Sequence, residues 1–145
     1  MAQTEGEDMT AAATVKLITR YYDAFDRQDI DAMLACLGSG FVHDVSQGER
    51  RKGKRLFGAF LAHMNKSYRE ALSNVVIMTN RDGTRAAAEF DLKGTYIATD
   101  PGLPKAKGQR YKLRVGTFFE VKGGKITRVS THYNLADWKQ QVLAS

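Results

Sequence analysis

Arg110-Tyr111-Lys112-Leu113-Arg114-Val115-Gly116-Thr117-Phe118-Phe119-Glu120-Val121 decides how the second half of the chain is read. Tyr111, Leu113, Val115, Thr117, Phe119 and Val121 share one side of an extended chain, and Arg110, Lys112, Arg114 and Glu120 share the other. A period of two over this length predicts one long half-buried strand. Lys122-Gly123-Gly124-Lys125 turns it into a last strand over residues 126–134. Upstream, Asp100-Pro101-Gly102-Leu103-Pro104 holds both prolines and ends the preceding ladder. In that ladder Ala86, Ala88, Phe90 and Leu92 alternate with Glu89, Asp91 and Lys93. Asn80-Arg81-Asp82-Gly83 has the chemistry of a hairpin turn, and residues 72–78 read as the strand before it.

Before residue 72 the period is that of a helix. Thr10 is placed to cap a helix whose stripe is Val15, Ile18, Tyr21, Tyr22 and Phe25. Asp29 can cap a short second helix carrying Ile30, Met33, Leu34 and Leu37, which Gly38-Ser39-Gly40 stops. Residues 41–46 read as a short strand leading to a loop at Gly48. After Gly53 the stripe Phe57, Phe60, Leu61, Met64 and Tyr68 predicts a third helix, and residues 135–142 a short terminal one. Helices first and a meander afterwards predict an α+β fold, with a cone-shaped, curved antiparallel or mixed sheet wrapped around the long N-terminal helix. The mouth of such a cone is a small-ligand pocket.

The chain has 145 residues, 43% hydrophobic and 26% charged, so it predicts a polar tail over residues 1–9 and one globular domain over 10–145. Cys36 is the only cysteine, which excludes an intramolecular disulfide and a multi-cysteine zinc site. No Gly-rich dinucleotide fingerprint, P-loop or metal-ligand spacing is present, so neither cofactor nor metal is expected. No apolar run approaches the roughly 18 residues of a membrane span, and residues 1–9 are acidic, the wrong sign for a leader. A cytoplasmic protein is the expectation. The net charge of +6 is concentrated in Arg50, Arg51, Lys52, Lys54 and Arg55 and, more loosely, between Lys105 and Arg114. Neither cluster is interleaved with aromatic residues, so nucleic-acid binding is not expected beyond non-specific attraction.

Several motifs together resemble the nuclear transport factor 2-like superfamily, which has a cystatin-like fold, and within it the SnoaL-like polyketide cyclases and ketosteroid-isomerase-related proteins. They are Arg20-Tyr21-Tyr22-Asp23-Ala24-Phe25, Asp29-Ile30-Asp31-Ala32-Met33, Val42-His43-Asp44, Gly94-Thr95-Tyr96, Gly102-Leu103-Pro104 and Gly124-Lys125-Ile126. The resemblance implies a cofactor-independent isomerase or cyclase that removes a proton alpha to a carbonyl in a small hydrophobic molecule. A non-catalytic binding or dimerisation module of the same fold is the alternative. Tyr21 falls where the isomerases place an oxyanion-hole tyrosine, Asp44 near their base, and Thr117 where they place a second oxyanion acid; these roles in ketosteroid isomerase are a documented pattern. Adjacent strand residues face opposite ways. Either an irregular strand turns Asp44 inward or His43 is the inward group. Phe60, Phe90, Tyr96, Val115, Tyr133 and Asn134 are the expected ligand-lining residues. A homodimer through the outer sheet face is also implied, with Glu89 and Asp91 meeting Arg110, Lys112 and Arg114. Arg114 is further expected to pair with an acid across its own sheet, and Cys36 to be an inert core residue.

Overall fold

A computed structural model describes residues 10–145; the expected tail 1–9 lies outside the described residues. Helix α1, Ala11–Asp26, starts where Thr10 Oγ1 accepts from the Ala13 N–H at 3.0 Å. Its buried stripe is Leu17, Ile18, Tyr21, Tyr22 and Ala24, whereas Val15 lies off that stripe and is half exposed. Helix α2, Ile30–Ala35, is capped by Asp29, as its position suggested. Strand β1, Leu37–Asp44, begins earlier than expected, because Gly38-Ser39-Gly40 does not end a helix but loosens a strand. The register against its neighbour shifts between Leu37 and Val42, and Gly40 sits at φ +73°, a conformation that costs glycine little.

Strand β2, Arg50–Lys52, occupies the basic cluster and was not anticipated. Its three residues are exposed, so no alternation marks it. Helix α3, Lys54–Ser67, is followed by β3, Tyr68–Thr79, β4, Arg85–Tyr96, β5, Gln109–Lys122, β6, Lys125–His132, and α4, Leu135–Ala144. The six strands form one mixed sheet in the order β2-β1-β6-β5-β4-β3. All neighbours are antiparallel except β1 and β6, which run parallel. The sheet is curved and unclosed.

Tyr22 shows how the inner face is filled. Its ring meets Tyr21, Phe90 and Phe119 edge-on at centroid distances of 5.1, 5.1 and 6.0 Å. Each such pair contributes about 0.5–1.5 kcal/mol beyond area burial, which ties α1 to β4 and β5. The β5–β6 turn places Gly123 and Gly124 at φ +58° and +73°, the backbone of a two-residue hairpin.

The outer face follows the register. Met78, Ala87, Phe118 and Ser130 form one row across β3, β4, β5 and β6, and Phe118 is 51% exposed. Arg114 pairs with Asp91 at 3.1 Å and more loosely with Glu89 at 3.9 Å, so the expected acid across the sheet is found within the same chain. Among the described residues no helix is long and apolar enough to cross a membrane.

Candidate functional site

Between the helices and the concave sheet lies a cavity of about 270 Å³. Its walls are mainly apolar, with Phe57, Phe60 and Leu61 from α3 facing Phe90, Leu113 and Val115 from the sheet. This is the composition of a small-molecule site, in which a few polar groups set orientation.

The alternative left open at His43 and Asp44 is resolved by β1. Its irregularity precedes Val42, and from there the strand alternates normally, so His43 points inward and Asp44 outward. Asp44 therefore leaves the site. Its carboxylate accepts from Arg50 Nε at 2.6 Å and from Arg128 Nη1 at 3.3 Å, and these hydrogen bonds, that of Arg50 foremost, hold its carboxyl below the usual range. An acid so stabilised in its charged form is a poor base. His43 lines the cavity at 5% exposure, with its ring edge-on to Phe57 and Phe60. Burial first, and then Arg51, lowers its pKa from 6.5 to about 4, against a smaller opposing pull from Asp44. It is a neutral imidazole at pH 7.

Tyr21 lines the cavity as expected, and burial pushes its phenol well above the ordinary value. Thr117 also lines it, but its hydroxyl accepts from Tyr22 at 2.8 Å. Tyr22, not Tyr21, is thus the tyrosine coupled to Thr117. Phe60, Phe90, Val115 and Tyr133 line the cavity as expected. Tyr96 and Asn134 do not. Tyr96 is fully buried behind the wall, stacked on Tyr68; its hydroxyl donates to the Pro104 carbonyl at 2.6 Å and accepts from the Asp100 N–H at 2.9 Å. Asn134 follows the last strand instead of ending it, and its side chain caps α4 by accepting from the Asp137 N–H at 3.0 Å.

Two polar groupings in the wall were missed. In the first, Glu70, Gly94 and Tyr111 stand in one row across β3, β4 and β5. The Tyr111 ring crosses Gly94 so closely that a Cβ there would lie 2.2 Å from the ring. The phenol thereby reaches Glu70 and donates to its Oε2 at 2.5 Å. Burial raises the Glu70 pKa, and the hydrogen bond from Tyr111 only partly offsets this. Tyr68, Glu70 and Leu72 share the inward parity of β3, so the signal was present. Starting the strand at residue 72 hid it. In the second, Asp100 accepts from the Tyr68 hydroxyl at 2.7 Å and pairs with His63 Nε2 at 2.8 Å. Asp100 and Tyr68 line the cavity, while His63 stands exposed beside them. Burial and then the Asp100 carboxylate raise the Tyr68 pKa. Joining α3 to a loop 37 positions away, this contact leaves no periodic trace. Among the described residues no three His, Cys, Asp or Glu side chains converge as a metal site would require.

A curved sheet folded over an N-terminal helix, enclosing a mainly apolar cavity with two acid–phenol pairs in its wall, is the nuclear transport factor 2-like fold. Residues 18–129 match the family model of the SnoaL-like domain, and the chain belongs to that family. A candidate polyketide cyclase from Silicibacter sp. TM1040 is 52% identical, covering 90% of this chain and 95% of its own, with a TM-score of 0.87. One from Xanthomonas campestris pv. campestris is 48% identical over 91% and 98%, with a TM-score of 0.88. An epoxide hydrolase of the LEH-like type from M. tuberculosis is 19% identical over 92% and 86%, with a TM-score of 0.72, a likeness of fold alone. No curated protein matches the chain.

Proposed function

We propose that the protein is a cofactor-independent isomerase or cyclase that removes a proton alpha to a carbonyl in a small, largely apolar ketone. The observation that carries this reading is Glu70, an acid in a mainly apolar cavity wall, with burial raising its pKa and one phenol bonded to it. A carboxylate whose pKa is raised is a stronger base than a solvated one. Similarity to the two candidate polyketide cyclases supports the same class.

In the proposed step Glu70 takes the proton from the alpha carbon and the electron pair moves onto the carbonyl oxygen. Tyr21, which lines the same cavity, donates to that oxygen, where a fixed donor in a water-poor site is worth more than in solution. Isomerisation ends when Glu70 returns the proton to a different carbon. Ring closure ends when the enolate carbon attacks a second carbonyl of the same molecule and that oxygen takes the proton from Glu70. Asp44 has no part in this, and Thr117 acts only by orienting Tyr22.

The test is exchange of the alpha hydrogens of 2-tetralone in D₂O, followed by proton NMR. Wild-type protein is expected to accelerate exchange, and Glu70→Gln to remove the acceleration. Exchange equally fast in both proteins would overturn the role of Glu70. No acceleration by wild type, despite binding of the ketone, would favour the binding-module reading.

A further inference from the structure

His43 Nδ1 is the one buried side-chain nitrogen or oxygen, among the described residues, that has no hydrogen-bond partner. A native orphan of this kind calls for an explanation. The ring packs edge-on against Phe57 at 4.9 Å and Phe60 at 4.7 Å, two neighbours on α3, and neither offers Nδ1 a hydrogen-bond partner. Nε2 is not sealed in this way, and the residue lines the cavity.

The two tautomers of a neutral imidazole are then unequal. A proton on Nδ1 would bury an unmade N–H donor, whereas a bare lone pair there is the milder fault, since orphaned N–H groups are the rarer kind in native proteins. The proton therefore belongs on Nε2. We propose that His43 is a fixed hydrogen-bond donor, through Nε2–H, to an acceptor oxygen of the bound ligand, and that the ligands of this cavity are carbonyl compounds with that oxygen placed against β1. The lowered pKa of His43 agrees, since the ring faces Arg51 of β2 and the apolar side chains of α3, with the Asp44 carboxylate turned outward and held by Arg50 and Arg128. A neutral imidazole that polarises a carbonyl is a known catalytic device. The assignment deepens the ketone reading above by giving the oxygen that Tyr21 holds a second donor, and it does not depend on whether Glu70 removes a proton.

Two measurements on the full chain test it. In ¹⁵N-labelled, ligand-free protein at pH 7, His43 is expected to show a pyrrole-type Nε2 and a pyridine-type Nδ1, with the Nε2–H proton moving downfield when 2-tetralone is added. A proton on Nδ1, or an Nε2–H resonance that 2-tetralone leaves unmoved, would overturn the proposal without any variant having to fold. The second measurement compares 2-tetralone, whose only polar atom is an acceptor, with tetralin, which lacks it. Wild type and Glu70→Gln are both expected to favour the ketone, and His43→Phe to cut that preference by about tenfold, the worth of one such hydrogen bond, while still binding tetralin. A preference undiminished in His43→Phe, or failure of 2-tetralone to bind at millimolar concentration, would overturn it. Loss of exchange chemistry with the preference intact in Glu70→Gln separates this inference from the role of Glu70.

Discussion

The two faces of the sheet solve the problem of polar side chains in opposite ways, and β1 shows both solutions one residue apart. On the outer face Asp44 is met by Arg50 and Arg128, and Arg128 also donates to Glu120 at 2.6 Å. On the inner face His43 is enclosed by phenylalanines and one of its nitrogens has no partner. This contrast separates the side chains that hold the fold from those that can meet a ligand. A charge answered within the protein is spent on structure, whereas a buried group left unanswered or held in its less favoured state remains available to a ligand.

The largest effect expected from breaking this contrast is at Glu70. Glu70→Gln should cut turnover by about 10²–10⁴-fold, the range of a general base, as read by steady-state kinetics. Its stability should move the other way. An acid whose folded pKa is raised loses stability as pH rises from its unfolded pKa through its folded one, so the neutral amide should unfold at the same or a higher temperature at pH 8. Calorimetry of the two proteins at pH 5 and pH 8 checks the sign.

Second is His43, whose pKa is lowered from 6.5 to about 4. A base depressed on folding contributes stability that is full above its unfolded pKa and is lost as pH falls toward the folded one. The loss is about 3 kcal/mol over that window. Urea unfolding of wild type and His43→Phe between pH 7 and pH 4 should show a steeper decline in wild type, and parallel declines would contradict the burial argument.

Third, Tyr111→Phe removes the donor that holds Glu70 down. The acid limb of the rate profile should move upward by about one to two pH units, the worth of a hydrogen bond to a charged group. Gly94→Ala probes the same pair from beneath. Its methyl would meet the Tyr111 ring, so a cost of about 1–3 kcal/mol in urea unfolding is expected from overpacking, and most of it should persist in the double variant with Tyr111→Phe, which keeps the ring atoms that the methyl meets. The smallest effect is expected on the outer face. Arg114→Gln breaks exposed pairs with Asp91 and Glu89 and should change stability by under about 1 kcal/mol with activity intact.

The fold was legible because period and punctuation agreed over most of the chain: Thr10 and Asp29 cap where their side chains suggested, and β4 and β5 alternate as read. Tyr68 shows where the reading went astray. It stands four residues after Met64 and two before Glu70, so it satisfies both the helical and the strand period, and assigning it to the helix hid the inward carboxylate behind it. Half of the site was readable by parity, including Phe90, Val115 and Thr117. The inward turn of His43 was not, because it depends on how three flexible residues, Gly38 to Gly40, take up the register shift. Nor was the Asp100–His63–Tyr68 grouping, which brings loop, helix and strand together across sequence distances that no local pattern encodes.

The parallel pairing of β1 with β6 also constrains the order of events during synthesis. His43 is registered against Val129, so the strand that carries it has no neighbour on that side until β6 has been made. The β3–β4–β5 meander can assemble from contacts between near neighbours in the chain, while the wall holding His43 waits for a closure spanning more than half the sequence, the kind of contact that folds slowly. A nascent chain paused before Val129 would therefore display β1 with an unpaired edge, and it is there that a chaperone would have the most to protect.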